Sequence, residues 1–422
     1  MVTTDGSRSS AGGTGGPGPP DPAPVFDDPF APEHRADPYP IFAEVRETAP
    51  VYRSLDGTWV LSRYADALGV LRDARRFSSS PENLRGEAAR AQADNPIRQA
   101  GTSVMMFIDP PDHTRLRGLV ATAFTPRRVE QLRDRVRALV DDLLDARLPE
   151  GELDVVGDLG HPLPVSVICE LLGVPDADDA TFRTLSAQAS RLLDGPSLPP
   201  EVMDEGMVAG MQLFQYFTDL IEARRAEPAD DLLSALIATE EEGERLSHPE
   251  LVTTATLLFV AGHETTTNQI GNAVLALLRH PAELARLRHD PSLLRPATEE
   301  FLRWDPAVQF AARITTGDVT VGGVDIAAGE QVAVLIGAVN RDPAQFADPE
   351  TLDLGRTENR HLTFASGAHF CLGAALARLE IQVAVERLVA RCAHWELLEE
   401  PTYREHYVLR GVDALRMGFT PA

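Results

Sequence analysis

Through most of the chain apolar residues recur at spacings of three and four, which predicts a mainly α-helical protein. Such periodicity runs through Pro40 to Thr48, Tyr64 to Leu71, Pro126 to Leu148, Leu163 to Leu172, Thr181 to Leu193 and Met203 to Arg225, with Pro or Gly at the breaks. The longest helical pattern spans His248 to His280, and another runs without Gly or Pro from Ala374 to Trp395. Alternating patterns are shorter. Val51 to Leu61 reads as a hairpin turned at Asp56-Gly57, Val308 to Thr316 as a strand, and Val319 to Val334 as β-rich with turns at Gly322-Gly323 and Ala328-Gly329. Two stretches have little periodicity: Ser78 to Val104, a length that usually marks a functional or mobile loop, and Asn340 to Arg360.

Composition narrows the class. At 422 residues the chain exceeds the size at which single cores usually divide. A net charge of -25 argues against nucleic acid or an anionic membrane as partner, and the basic residues are all arginine. Cys169, Cys371 and Cys392 are too few and too scattered for a disulfide framework, which fits a reducing compartment. The letters show neither an apolar run of about eighteen residues nor a secretory leader, so the expectation is a soluble, cytoplasmic protein. Residues 1–24 are dense in Gly, Ser, Thr and Pro and are expected to form a disordered tail to a domain spanning 25–422.

Chemistry concentrates at Phe364 to Gly373, where Cys371 lies between Gly367 and Gly373 at the mouth of a helix. Helix N-termini favour a thiolate, the form that binds a soft metal, and glycines let backbone N–H groups turn toward the sulfur. Read alone, such a cysteine is more often a small buried core residue. Further upstream, Pro110 or Pro111 suits a helix's first turn, which puts His113 and Arg117 one turn apart on a single face. Two donors so placed can grip a carboxylate; the plainer reading is a solvated basic face that includes Arg115. In the middle of the longest helix, Ala261-Gly-His-Glu-Thr-Thr-Thr-Asn sets polar residues where an apolar core is expected. Gly262 and the threonines would allow a local widening or kink, with the bare glycine admitting a flat cofactor, while Glu264 and Thr265 offer a carboxylate and a hydroxyl at adjacent positions, a plausible proton relay.

The pattern Phe-x-x-Gly-x-His-x-Cys-x-Gly resembles the haem-thiolate loop of the cytochrome P450 family, with Ala365 where many members carry glycine. Three further motifs follow in family order. Ala-Gly-x-Glu-Thr resembles the oxygen-binding groove, Glu300-x-x-Arg303 the structural signature completed by Arg356, and the stretch around His113 and Arg117 a propionate-binding helix. The resemblance implies a large helical body with a smaller β-rich lobe, and haem b held between the oxygen-binding helix and the cysteine loop. It implies Cys371 as iron ligand, Glu264 and Thr265 as the catalytic proton-handling pair, and His113, Arg117, Arg313 and His369 as propionate contacts. The helices flanking Asp194-Gly-Pro-Ser-Leu-Pro-Pro would close over the substrate entrance as a lid.

The implied activity is that of a monooxygenase placing one atom of dioxygen into a C–H bond or an alkene of a small hydrophobic substrate. Electrons would come from NAD(P)H through a separate ferredoxin and ferredoxin reductase. The phrases His-Thr-Arg-Leu-Arg and Ala-Gly-His-Glu-Thr-Thr-Thr-Asn are most like bacterial enzymes that tailor macrolide and related polyketide metabolites, which implies a role in antibiotic biosynthesis. Two alternatives stay open: a haem-thiolate enzyme for oxidative coupling or ring formation, and a non-catalytic haem-binding protein.

Overall fold

The computed structural model describes residues 31–422 except 55, 87–88, 90–103, 176–178 and 240–245. The expected tail and most of the stretch from 78 to 104 lie outside the described residues.

A capping box starts the helix around which the body is assembled. The Ser247 hydroxyl accepts from the Glu250 backbone N–H, while the Glu250 carboxylate accepts from the Ser247 backbone N–H, so two otherwise orphaned donors are satisfied. The helix His248–Arg279 then continues as regular α-helix, without the widened turn expected at Gly262. It is buried along most of its length, and helices Pro162–Leu172, Pro200–Ala226, Leu294–Trp304 and Ala374–Arg391 pack on it. A Cβ on Gly262 would sit 3.1 Å from Ile168. Gly262 therefore lets the neighbouring helix close in, and its bare side is taken up by protein rather than left for a cofactor.

Strand pairing builds a smaller lobe. Strands β1 (Val51–Arg53), β2 (Trp59–Leu61), β3 (Phe77–Ser78), β5 (Phe310–Thr315) and β8 (Gln331–Leu335) form a sheet ordered β1-β2-β8-β5-β3, where β2 and β8 run parallel and the other pairs antiparallel. Its apolar side chains form a cluster with Tyr64, Val70 and Leu71 of helix Tyr64–Arg72, apart from the main helical core. The pair β6 (Val319–Val321) and β7 (Val324–Ile326) is the hairpin expected at Gly322-Gly323.

A three-stranded sheet orders β4 (Glu152–Asp154), β10 (Arg416–Pro421) and β9 (Cys392–Leu397) as β4-β10-β9. The helix expected to reach Trp395 ends at Arg391, because pairing of β9 with β10 takes over from Cys392 onward and outweighs the helical periodicity. Among the described residues one stretch, Val155–Leu172, has the length and mean hydropathy (1.3) of a membrane span, although Asp158, His161 and Glu170 interrupt it; 61% of it is buried inside the fold. Cys169, Cys371 and Cys392 form no disulfide with one another.

Candidate functional site

The cysteine loop is held by two ion networks, one buried and one partly exposed. In the first, Arg303 donates from Nε and Nη2 to both Glu300 oxygens at 2.8 and 2.7 Å, with both side chains fully buried. Arg356 adds Nε to Glu300 Oε2 at 3.1 Å, and the two arginines also donate to the carbonyls of Asn340, Ala347, Asp348, Pro349 and Thr351. Helix Leu294–Trp304 is thereby tied to the irregular segment before the loop.

The second network was not legible in sequence. Arg378 grips both oxygens of Glu299 at 2.6 and 2.9 Å, and His361 Nε2 lies 3.1 Å from Oε2. Burial alone would raise the Glu299 carboxyl, but hydrogen bonds from His361 and Arg378 hold it at about 2. The Arg378 guanidinium also covers the Phe364 ring, 4.5 Å from its centroid, at the start of the loop.

Within the loop, the Cys371 backbone N–H donates to the Phe364 carbonyl at 2.9 Å and the chain turns through Gly367, whose φ of +77° and close approach to the Leu71 carbonyl leave no room for a side chain. Ala365 is also left-handed, at φ +56°. Cys371 is exposed, yet burial is the largest influence on its thiol and pushes the pKa up, against the Gly373 N–H, Arg117 and Arg378, which pull it down. A recessed sulfur, open on one side and surrounded by protein on the others, reconciles the two. The expected turning of an N–H toward the sulfur is present at Gly373, but desolvation outweighs it.

Helix Asp112–Ala121 lies against this loop. Arg117 Nη2 donates to the Phe370 carbonyl at 2.6 Å, and the His113 and His369 rings stack with centroids 4.0 Å apart. Arg313, buried on β5, completes the group; its guanidinium donates to the Ala312 carbonyl at 2.7 Å. Among the described residues neither Arg117 nor Arg313 forms an ion pair; Asp109 acts on Arg313, and the Cys371 sulfur on Arg117, only through longer-range charge. Burial lowers His369 to about 3, helped by His113, Arg313 and Arg117, and lowers His113 as well. His369 Nε2 is buried without a protein partner. The sequence-chosen residues His113, Arg117, Arg313 and His369 are thus brought together beside Cys371, as donors short of anions. Haem b fits this set, since it presents two carboxylates to such donors and needs one axial ligand at iron.

On the central helix, Leu257, Ala261 and Thr265 lie four apart on a face less buried than the rest. The Thr265 hydroxyl donates to the Ala261 carbonyl at 3.1 Å, the back-bonding expected of these threonines. Glu264 turns elsewhere. It is buried, and Arg404 Nη1, from the C-terminal segment, donates to its Oε2 at 3.1 Å, while His263 Nε2 lies 3.8 Å from Oε1. Glu264 and Thr265 are therefore neighbours in sequence with different surroundings. Arg404 had no sequence signal, because its partner is 140 residues away.

A family model described as Cytochrome P450 matches residues 17–405. The chain is 43% identical to the vitamin D(3) 25-hydroxylase of Pseudonocardia autotrophica, with 91% of this chain and 94% of that protein covered. It is 42% identical to the cytochrome P450 monooxygenase PikC of Streptomyces venezuelae, with 90% of each covered. Among solved structures, that of CxnD, a cytochrome P450 enzyme for C–S bond formation in chuangxinmycin biosynthesis, superposes with a TM-score of 0.85 at 34% identity, covering 95% of this chain and 99% of that one. With its helical body, smaller β-rich lobe and donor set for haem b, the chain belongs to the cytochrome P450 family of monooxygenases, which draw electrons from NAD(P)H through redox partners.

Proposed function

We propose that the protein oxidises a small hydrophobic secondary metabolite, a macrolide or related polyketide, by hydroxylation or epoxidation, in the cytoplasm and with electrons from a separate ferredoxin and its reductase. Haem b, when bound, supplies the activation of dioxygen. Cys371 would ligate its iron, and His113, Arg117, Arg313 and His369 would hold its carboxylates. Arg117 acts at both places, since its guanidinium anchors Phe370 beside the ligand and influences the Cys371 sulfur. The networks at Glu300 and Glu299 keep the loop in register, so that the sulfur stays where the N–H of Gly373 can reach it. Thr265 offers a hydroxyl on the open face of the central helix, and Glu264, one position before it, is the carboxylate that serves it in proton handling.

The observation that carries this reading is the gathering of two arginines and two stacked histidines beside Cys371, where among the described residues no carboxylate pairs with either arginine within 4.0 Å and Asp109 reaches Arg313 only at longer range. Arg313 is buried, and buried cations are normally paired. The polyketide substrate class is supported by the 42% identity to PikC and by 39% identity to 6-deoxyerythronolide B hydroxylase of Saccharopolyspora erythraea. The test is a search for substrate-induced shifts of the haem spectrum across macrolides and other polyketides, followed by product analysis under oxygen-18 dioxygen. One labelled oxygen in the product is expected. A product without label would favour oxidative coupling, the second reading, which the similarity to CxnD supports.

A further inference from the structure

Behind Glu264 the fold gathers a polar cluster that the reading above does not use. His161 stands where the π-helical segment Val155–Gly160 meets helix Pro162–Leu172, and its ring meets that of His263 edge-on at 5.8 Å. One ligand atom each of His161, His263 and Glu264 lie within 4.8 Å of one another, and all three residues are buried.

The hydrogen bonds around the cluster fix which nitrogens carry protons. Arg183 Nε–H donates to His161 Nδ1 at 3.1 Å, and a guanidinium cannot accept, so Nδ1 is the bare nitrogen and Nε2 carries the hydrogen. His263 has the opposite tautomer: its Nδ1 lies 2.7 Å from the Phe259 carbonyl, which can only accept, leaving Nε2 as acceptor. Among the described residues the buried His161 Nε2–H has no partner. One donor and two acceptors therefore surround a gap too wide for direct bonding.

A divalent cation does not suit this arrangement. It would need a lone pair on His161 Nε2, which moves the ring hydrogen to Nδ1, facing the Arg183 N–H. It would also add charge beside Arg183 and Arg404, against Glu264 and the more distant Asp413, 4.0 Å from Arg404. A water molecule suits it: it accepts from His161 Nε2–H and donates to His263 Nε2 and Glu264 Oε1, the three bonds typical of buried water.

We infer that His161, His263 and Glu264 bind one buried water, and that His161 is through it a positioning residue for Glu264. Arg404 holds Oε2 and the water holds Oε1, so the carboxylate is fixed at both oxygens. This rests on Glu264 serving Thr265 in proton handling.

The test uses the haem-loaded protein. In its ferrous carbon-monoxide form, nitrogen-15 NMR should show His161 protonated at Nε2 and His263 at Nδ1, unchanged by excess Zn²⁺. Reversed tautomers, or a stoichiometric shift on adding Zn²⁺, would overturn the assignment. His161→Phe should raise peroxide released per reductant consumed roughly fivefold, the factor expected for one lost hydrogen bond, and His161→Gln, which keeps an N–H, should restore most of the coupling. Wild-type coupling in His161→Phe, beside uncoupled Glu264→Gln and Thr265→Ala, would overturn the inference alone. Wild-type coupling in all three would overturn the proton-handling reading and this inference with it.

Discussion

Asp194 and His406 meet at 2.6 Å and join the segment between two helices to the C-terminal part of the chain. Asp194 lies in the turn Leu192–Ser197, between helices Asp179–Arg191 and Pro200–Ala226, the segment whose sequence suggested a lid. Its carboxylate is fully buried and also accepts from the backbone N–H groups of Tyr407 and Val408, each at 2.9 Å. A cavity of about 270 Å³ opens beside this contact, lined by Leu198, Val202, Tyr403 and Tyr407 among others. Asp194→Ala removes bonds worth about 1 kcal/mol each, so binding of an azole to the haem iron should accelerate on the order of tenfold or more. Stopped-flow mixing measures it; an unchanged association rate would show that this contact does not limit entry.

Glu300 is the carboxylate on which Arg303, Arg356, Asn359 and the Asp353 backbone N–H converge. Glu300→Ala leaves Arg303 buried and uncompensated, at a cost of about 3–5 kcal/mol. Thermal unfolding should shift down sharply and purified protein should carry little haem. Haem content and stability equal to wild type would remove this network from any role in holding the cysteine loop.

Acid sensitivity should trace in part to His161. Burial, with Arg183, His263 and Arg404, depresses its pKa from 6.5 to about 3. Unfolded chains take up a proton at this residue near pH 6.5 and the folded protein does not, so the stabilisation is complete above pH 6.5 and declines as pH falls towards 3. Each pH unit in that window costs about 1.4 kcal/mol. Denaturant unfolding from pH 7 to 5 should show a shallower loss in His161→Gln than in wild type; parallel curves would contradict the assignment.

Ala365 occupies a left-handed conformation that costs a non-glycine residue about 1–2 kcal/mol. Glycine there also gains freedom in the unfolded chain, worth about 0.4–1 kcal/mol. Ala365→Gly should therefore stabilise the protein by a net of about 0.5–1 kcal/mol, read as a rise in melting temperature. A fall would mean that the loop relaxes around alanine.

Local patterns carried much of this fold in the sequence. Expected helices at 40–48, 163–172 and 248–280 correspond to Tyr39–Thr48, Pro162–Leu172 and His248–Arg279, because their apolar spacing and caps agree with their packing. The hairpin at Asp56-Gly57 is present, with Gly57 at φ +87°. What pattern reading missed depends on contacts distant in the chain. Strand β9 is defined by pairing with β10, Arg404 by Glu264, and Arg378 by Glu299, 79 residues earlier. Gly262 was misread for a related reason: the chain shows that a side chain is missing but not that Ile168 fills the space. His113 stood out by its helical spacing with Arg117, but Arg313 could be chosen only by resemblance, since the environment the two share is assembled from a strand and a helix far apart in sequence.

Ligation of haem iron by the Cys371 sulfur is the claim on which the function depends. Reduced protein under carbon monoxide measures it directly, because the Soret band moves to a characteristic long wavelength only when a thiolate is the opposite ligand. Wild-type protein should show that band, and Cys371→Ser should lose it while Cys392→Ser keeps it. A wild-type spectrum without the band, or one that survives in Cys371→Ser, would contradict the assignment.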